Sequence, residues 1–421
     1  MLERLDKKAP VVAGLVQHPL HTADGRLVDQ DGYDERSGLY LAMGCWPFPP
    51  ISSRPTQEDA KRAAQRIREL LLAETMLRDE HVDGSAVLGA LLAGLARKAT
   101  AQGPGVLINA ACQGTGKSTL ARMIHVVVTG RDMAVQQMPS DPSEFRKQLT
   151  ATLLRSPAMV CFDNVPDGAT LNSDTIGPLA AVMTSSVHEG RLLGVSMDVS
   201  APTNTLWVFT GNSVTVGADF VRRFFLIDLL AKDARPEQHK YAHPDPVRYA
   251  QEIRSEIVGA LLTIQSAWFA NGAPEAESYG LGSDFDRLVI WPLAFAGESG
   301  LFAKKEALRA QSPEQQSKLA LVMAFRELYA EEEHMARDLV NEIGVDNEKL
   351  AYLTPQQQAL REAVESGDRK RVFSSRALGD FLSTLVSVQL EDPSSGQVFV
   401  MRAMQRGWKK YYRVEISHQV G

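Results

Sequence analysis

The stretch Ala111-Cys112-Gln113-Gly114-Thr115-Gly116-Lys117-Ser118-Thr119 limits what this chain can fold into more than any other feature. The apolar run Val106-Leu107-Ile108-Asn109 before it reads as a buried strand, and Thr119-Leu120-Ala121-Arg122-Met123-Ile124 after it reads as a helix. A glycine-rich turn between a strand and a helix that opens on Lys-Ser is a phosphate-binding loop. Its chemistry needs these residue types. Gly114 and Gly116 let backbone N–H groups turn inward on phosphate oxygens, and the helix N-terminus adds partial positive charge. Gln113, Thr115 and Thr119 complete the cradle. Lys117 is placed to reach the β- and γ-phosphates, and Ser118 offers a hydroxyl to Mg²⁺. Ala111 stands where the pattern usually has Gly, and its small side chain weakens the match only slightly.

Strand and helix patterns continue to alternate beyond this loop. Strands are expected near 133–138, at 159–162 and at 206–210, and helices near 144–154 and 176–185. This alternation predicts an α/β fold, a P-loop NTPase core with a largely parallel sheet, over residues 56–232. Residues 1–55 read as a β-rich segment with turns at Asp24-Gly25 and Asp31-Gly32-Tyr33-Asp34, followed by a Pro-rich connector. Thr56 with Glu58 and Asp59 starts a leading helix, and a second apolar helix follows at 85–96. Residues 233–350 read as a helical lid region broken at Asn271-Gly272-Ala273-Pro274. Residues 351–421 read as a mixed module whose helices and terminal strands suggest a winged helix.

Charge and cysteine usage narrow the function classes. The 421 residues carry a net charge of −6, so the whole chain is no basic nucleic-acid binder and any polyanion contact must be local. The three cysteines, Cys45, Cys112 and Cys161, fit neither a metal site nor a disulfide framework. Cys112 and Cys161 are expected in or beside core elements, which favours a reducing, cytoplasmic setting. The apolar run 11–16 is too short for a signal peptide or a membrane span.

Three further positions complete a site around the loop. Ala158-Met159-Val160-Cys161-Phe162-Asp163 is an apolar run ending in a carboxylate, on a strand expected beside the phosphate-loop strand. Asp163 there can hold the Mg²⁺ shell with Ser118, although Asp163-Asn164 also suits a simple turn. Leu206-Trp207-Val208-Phe209-Thr210-Gly211-Asn212 is a third such strand, and Asn212 is placed to reach the γ-phosphate or the attacking water, or to form a Gly-Asn turn. Arg222-Arg223 lies beside an aromatic pair and reads either as a solvated surface pair or as an arginine finger presented to a neighbouring subunit.

In this order the phosphate loop, Asp163, Asn212 and Arg222-Arg223 resemble an AAA+-type ATPase, in which they would be Walker A, Walker B, sensor 1 and the arginine finger. A narrower resemblance rests on Asp163-Asn164-Val165, Thr184-Ser185, Arg191-Leu192-Leu193-Gly194, Thr210-Gly211-Asn212, Asp219 and Arg222-Arg223. These look like the helicase half of the superfamily 3-related primase–helicases of phages, plasmids and integrative elements. The segment 24–40 is also similar to the stretch preceding the ATPase in that group. The resemblance implies ATP and Mg²⁺ as cofactors. It also implies a ring, expected to be a hexamer, that acts on single-stranded or forked DNA during replication, with a primase in trans as a further partner. Many AAA+ proteins carry a Glu after the Walker B Asp, where this chain has Asn164. Glu144 is the candidate replacement as the water-activating carboxylate, although a first-turn helix position also explains an acidic residue there.

Two regions are candidates for DNA contact. From Arg369 onward nine basic residues face four acids, Asp380, Glu391, Asp392 and Glu415, a local excess of +5. Trp408, Tyr411 and Tyr412 lie among these cations and either stack on unpaired bases or form the module's core. The segment 190–204 is where superfamily 3 helicases carry a β-hairpin, and Arg191 is placed to touch phosphate. The expected tip, Met197-Asp198-Val199-Ser200, has no Lys. An ATP-driven DNA helicase or translocase is thus the leading expectation. An AAA+ protein-remodelling or loading ATPase is the alternative, and a small-molecule kinase is the weaker third.

Overall fold

The computed structural model describes residues 12–44, 46–191, 197–217, 220–231, 235, 239, 241–311, 313–344, 353–367, 374–392, 395 and 397–417. The chain divides into two compact units, residues 1–305 and 306–421. This division falls at none of the expected boundaries, near 55, 232 and 350. The apolar faces explain why: the helices after Ala231 share the core of the first unit, and those from Pro313 onward share the core of the second.

The first unit begins with short strands β1 (Gly14–Val16), β2 (Leu20–His21), β3 (Leu27–Val28), β4 (Gly32–Asp34) and β5 (Leu39–Leu41). Strand β5 lies between β1 and β4, and β2 pairs with β3. The turn at Asp24-Gly25 is present. Gly25 has φ +89°, and a Cβ there would lie 2.9 Å from the Phe269 ring. The turn expected at 31–34 is instead strand β4, antiparallel to β5. Arg26 donates to both carboxylate oxygens of Asp34, at 2.8 and 2.7 Å, and this pair fixes the segment as a strand.

His18 and His21 anchor this segment. His21 shares hydrogen bonds of 3.1 Å with Gln265 Oε1 and with Ser266 Oγ, both on helix α7 (Arg254–Ala270). Burial lowers both imidazoles from 6.5 to about 4. In an unfolded chain they take up protons below 6.5, whereas in the fold they stay neutral until about 4. Stability is therefore whole above pH 6.5 and falls as pH drops toward 4, by on the order of 3 kcal/mol per histidine. Melting temperatures measured across that window should fall less for His21→Gln than for the wild type. Identical pH dependence of the two proteins would rule out His21 as a source of acid lability.

Helix α1 (Gln57–Leu71) starts at a capping box made by Thr56 and Asp59, and it buries Ala60, Ala63, Ala64, Ile67 and Leu71. Helix α2 (Val82–Ala96) is buried over almost its whole length. The central layer contains β6 (Gly105–Ala110), β7 (Val135–Gln136), β8 (Met159–Val165), β12 (Leu206–Asn212) and β14 (Phe224–Leu229), in the spatial order β14-β6-β12-β8-β7. Every pairing in it is parallel. All seven residues of β12 are buried, as expected for a strand covered on both faces.

Side-chain alternation divides the two faces. Cys161, Val208 and Ile108 pack with α2, α3 (Lys117–Thr129) and α7. Val160, Phe162, Trp207 and Phe209 pack with α4 (Pro142–Leu153) and α5 (Ser173–Thr184). The result is a three-layer α/β/α unit. Short strands β9 (Thr170–Leu171) and β13 (Thr215–Val216) pair beyond the sheet, and β10 (Val187–Arg191) and β11 (Asp198–Pro202) form a hairpin. Helices α6 (Pro246–Glu252), α7, α8 (Ser283–Phe285) and α9 (Trp291–Phe295) follow β14, and α10 (Gly300–Gln311) reaches the division between the units.

The second unit packs α11 (Pro313–Tyr329), α12 (Ala336–Ile343), α13 (Pro355–Gly367) and α14 (Ser375–Leu385) with an antiparallel sheet. That sheet has the order β15 (Gln389–Glu391), β16 (Val398–Arg406), β17 (Lys409–Ser417). Leu321, Phe325, Leu360, Leu382 and Met401 form the centre of its core.

Candidate functional site

The phosphate loop joins the carboxyl end of β6 to the start of α3, the position where ligands bind in parallel sheets. Gly114 (φ +79°) and Gly116 (φ +84°) are both left-handed, so the loop needs glycine at both positions. A Cβ on Gly116 would also lie 2.7 Å from the Tyr241 hydroxyl, which places Tyr241 directly over the loop. Lys117 Nζ donates to Cys112 O at 2.9 Å and to Thr115 Oγ1 at 3.3 Å. Burial lowers its pKa, and the negative fields of Cys112, Asp167 and Asp163 oppose the shift. Thr115 is buried, Ser118 and Thr119 are half-buried, and Gln113 and Gly114 are exposed. Cys112, expected in or beside the core, is exposed within this loop, while Cys161 is buried. Cys45 lies outside the described residues.

Asp163 reaches the loop from a different position than the sequence suggested. Its strand β8 does not adjoin β6; β12 lies between them. Asp163 Oδ1 accepts hydrogen bonds from Ser118 Oγ at 2.8 Å and from Thr210 Oγ1 at 2.5 Å. One carboxylate oxygen thus joins the first turn of α3 to β12. The Thr210 hydroxyl also accepts the backbone N–H of Asn164 at 3.0 Å.

A β-bulge lies at this point. Phe162 pairs with Phe209 and Val165 with Gly211, so Asp163 and Asn164 together oppose Thr210. Asn164 takes a left-handed backbone (φ +58°), which Asn tolerates better than most residues, and its side chain is exposed. The bulge returns Val165 to the face of Phe162 in the core and turns the chain into Pro166-Asp167-Gly168.

Asn212 ends β12 on the same face as Thr210 and is only 4 % exposed. Its Nδ2 donates to Asp167 Oδ1 at 3.0 Å, and its backbone oxygen accepts from Gly168 N at 3.0 Å. Its Oδ1 is buried with no hydrogen-bond partner among the described residues. The chain after Asn212 is tied to β6, since Ser213 N donates to Ala110 O at 2.8 Å and Val214 N donates to Asn109 Oδ1 at 2.9 Å. Asn109 Nδ2 in turn donates to Asp228 Oδ1 at 3.3 Å, and Lys304 pairs with both Asp228 and buried Asp83. A polar chain running from α2 to β12 therefore holds the Asn212 end in place.

The fold brings Lys117, Ser118, Asp163 and Asn212 together and places the other candidates elsewhere. Arg222 and Arg223 lie in a 3₁₀ turn, Val221–Arg223, just before β14. Phe224 pairs with Gly105 and Leu229 with Ala110, so this turn lies at the opposite end of the sheet from the loop, about 17 Å along the strands at 3.3 Å per residue. Arg222 is exposed, whereas Arg223 stacks over the Phe220 ring at 5.3 Å. Asp219 and residues 192–196 lie outside the described residues. Glu144 sits in the first turn of α4, where Asp141 caps the helix, and pairs with Lys147 at 2.6 Å. It borders a cavity of about 300 Å³ with Lys147 and Arg191, on the side facing the hairpin. Two residues that no sequence motif marks are Tyr241, over the loop, and Asp167, bonded to Asn212.

The expected hairpin is present as β10–β11, but residues 198–200, expected at its tip, belong to β11. Arg191 pairs with Asp198 at 3.3 Å, and both are well exposed. In the second unit the aromatic cluster divides. Tyr412 is buried, whereas Trp408 is 88 % exposed at the turn between β16 and β17, with Lys409 Nζ 5.7 Å from its ring. Arg369, Lys370 and Arg371 lie outside the described residues.

Among the described residues, no group of three or more His, Cys, Asp or Glu side chains is arranged to hold a metal ion, and no helix is long and apolar enough to cross a membrane. No family model matches the chain, and no curated protein matches it. Among solved structures, the apo A form of the NrS-1 C-terminal region is 12% identical with a TM-score of 0.41, covering 94% of this chain and 84% of that one. A second structure of that region, residues 305–718, is 13% identical with a TM-score of 0.35, covering 87% of this chain and 77% of that one. At these values neither likeness bears on the chemistry of the site.

Proposed function

We propose that this chain is a magnesium-dependent ATPase of the AAA+ type that works as a ring and drives translocation along DNA. The observation that carries this reading is the placement of Asp163, whose carboxylate joins the Ser118 hydroxyl to β12 beside the phosphate loop. The residues present fit a magnesium-bound triphosphate. The loop offers N–H groups and a lysine, Ser118 and Asp163 offer one hydroxyl and one carboxylate to a cation, and Asn212 has an unpartnered buried oxygen. Ser118 and Asp163 would hold Mg²⁺, which would supply positive charge against the phosphate oxygens. Lys117 exchanges its contacts with Cys112 O and Thr115 for phosphate oxygens, and Thr210 keeps Asp163 oriented toward Ser118.

The ring part of this reading is supported by Arg222, which lies too far from its own loop to serve it and is exposed. DNA as the substrate is supported by exposed Trp408 beside Lys409, a stacking platform with a cation, and by Arg191 on the hairpin. The test is Mg²⁺-dependent ATP hydrolysis measured with and without single-stranded DNA. Stimulation by DNA is expected, and Trp408→Ala should weaken DNA binding by roughly 1–3 kcal/mol. ATP hydrolysis by a protein that neither binds DNA nor responds to it would sink the DNA part and favour a protein-remodelling ATPase.

A further inference from the structure

We propose that Asp167 is the carboxylate that polarises the attacking water at this site, the role the sequence reading gave to Glu144; the assignment rests on the ATPase reading above. Four observations converge on it. The bulge at Asp163-Asn164 leaves Asn164 exposed and left-handed, so the position where a catalytic Glu is expected carries an exposed amide that takes up no proton. The same bulge sends the chain through Pro166 so that Asp167 is the next carboxylate after Asp163. Asn212, buried and braced to β6, holds this turn: its amide donates to Asp167 Oδ1 at 3.0 Å, and its backbone oxygen accepts from the N–H of the next residue, Gly168. Among the described residues the Asn212 amide is the one hydrogen-bond partner of the Asp167 carboxylate, and it engages Oδ1, which leaves Oδ2 available to a water.

Glu144 has none of these features. It lies on α4, paired with Lys147 and facing the side of the hairpin. Asn212 thereby acquires a role beyond contact with phosphate. It is a positioning residue that sets the direction of Asp167, and the rigid end of β12 supplies the precision.

The step balances simply. Asp167 Oδ2 accepts a proton from the water as the water oxygen bonds to the γ-phosphorus. The bond from γ-phosphorus to the β,γ-bridging oxygen breaks, its electron pair leaves on ADP, and inorganic phosphate is the other product. The proton then passes from Asp167 to solvent. A positioned base of this kind contributes about 10²–10⁴-fold.

The test compares wild type, Asp167→Asn, Asp167→Glu and Lys117→Ala in the full chain, with two readouts. One is the affinity for a fluorescent ATP analogue in the presence of Mg²⁺. The other is the single-turnover rate of ATP hydrolysis. Asp167 is an exposed loop residue, so D167N should fold and bind the analogue within about threefold of the wild type while its hydrolysis falls by about a hundredfold or more. D167E, which restores a carboxylate at a displaced position, should recover part of the rate. Wild-type turnover by D167N beside an inactive K117A overturns the Asp167 assignment and leaves the ATPase reading standing. So does a D167N that loses nucleotide binding together with hydrolysis, because its role would then be structural. A hundredfold loss in Glu144→Gln with D167N unaffected restores the earlier candidate and overturns this one. A wild-type protein without Mg²⁺-dependent hydrolysis overturns both.

Discussion

Lys117→Ala is expected to reduce ATP hydrolysis by at least about 10³-fold, because it removes both a ground-state phosphate contact and the charge that meets the developing negative charge on the γ-phosphoryl oxygens. The fold should survive. The side chain is half-buried, and its hydrogen bonds, to Cys112 O and Thr115 Oγ1, lie within its own loop, so their loss costs about 1 kcal/mol each. Binding and stability can therefore be read separately. At a concentration one hundred times its dissociation constant, a ligand that binds only the native state stabilises it by about 2.7 kcal/mol. For a unit of this size that corresponds to a rise of several degrees in melting temperature, roughly 2–4 °C per kcal/mol. Magnesium ATP should give this rise in the wild type and little of it in K117A, each measured against the same protein without nucleotide. If K117A hydrolyses ATP at the wild-type rate, the loop is not the site of hydrolysis.

The loop could be read from the sequence because it is local: two glycines, a lysine and a serine at fixed offsets need only their immediate strand and helix for meaning. The strands were legible for a related reason. A parallel sheet covered on both faces demands continuous apolar runs, and β6, β8 and β12 supply them. What could not be read is what depends on spatial order. Nothing local to Asp163 says that β12 comes between it and β6, so the strand seemed adjacent to the loop when it is one removed. The bulge was hidden because alternation counts one residue per pleat, and Asn164 breaks that count only against Thr210, 46 positions away. Asp167 belongs to no motif in the sequence, and the Pro-Asp-Gly composition around it is the signal available there. Glu144 lies in the first turn of a helix capped by Asp141, where an acidic side chain also suits the helix N-terminus. The second unit shows the same limit: the helices at Pro313–Tyr329 and Ala336–Ile343 look like a continuation of the preceding helical region, and only the face each one buries assigns them to the terminal module.

Arg222→Ala is expected to lower ATP turnover by about 10³–10⁵-fold, the range for a guanidinium that stabilises transition-state charge, and to leave nucleotide affinity within a few fold. The geometry predicts which arginine matters more. Arg223 is committed to the face of Phe220, and its loss should act mainly on the local turn. Arg222 is exposed at the end of the sheet remote from its own loop, an arrangement useless in cis. On the proposed ATPase reading, a planar cation in that position serves a phosphate brought to it by another copy of the chain. The decisive measurement is therefore a mixture. R222A subunits keep Lys117 and Asp167 but lack the donated charge; K117A subunits lack the phosphate grip but keep Arg222. Each is inactive alone. Where an R222A subunit presents its loop to the Arg222 of a K117A neighbour, one complete site forms, so the mixture should recover a fraction of wild-type turnover that depends on mixing ratio and total concentration. Turnover that stays at the level of the separate variants, under conditions where the wild type assembles, would show that Arg222 acts within its own chain or not at all. The ring would then lose its main physical support.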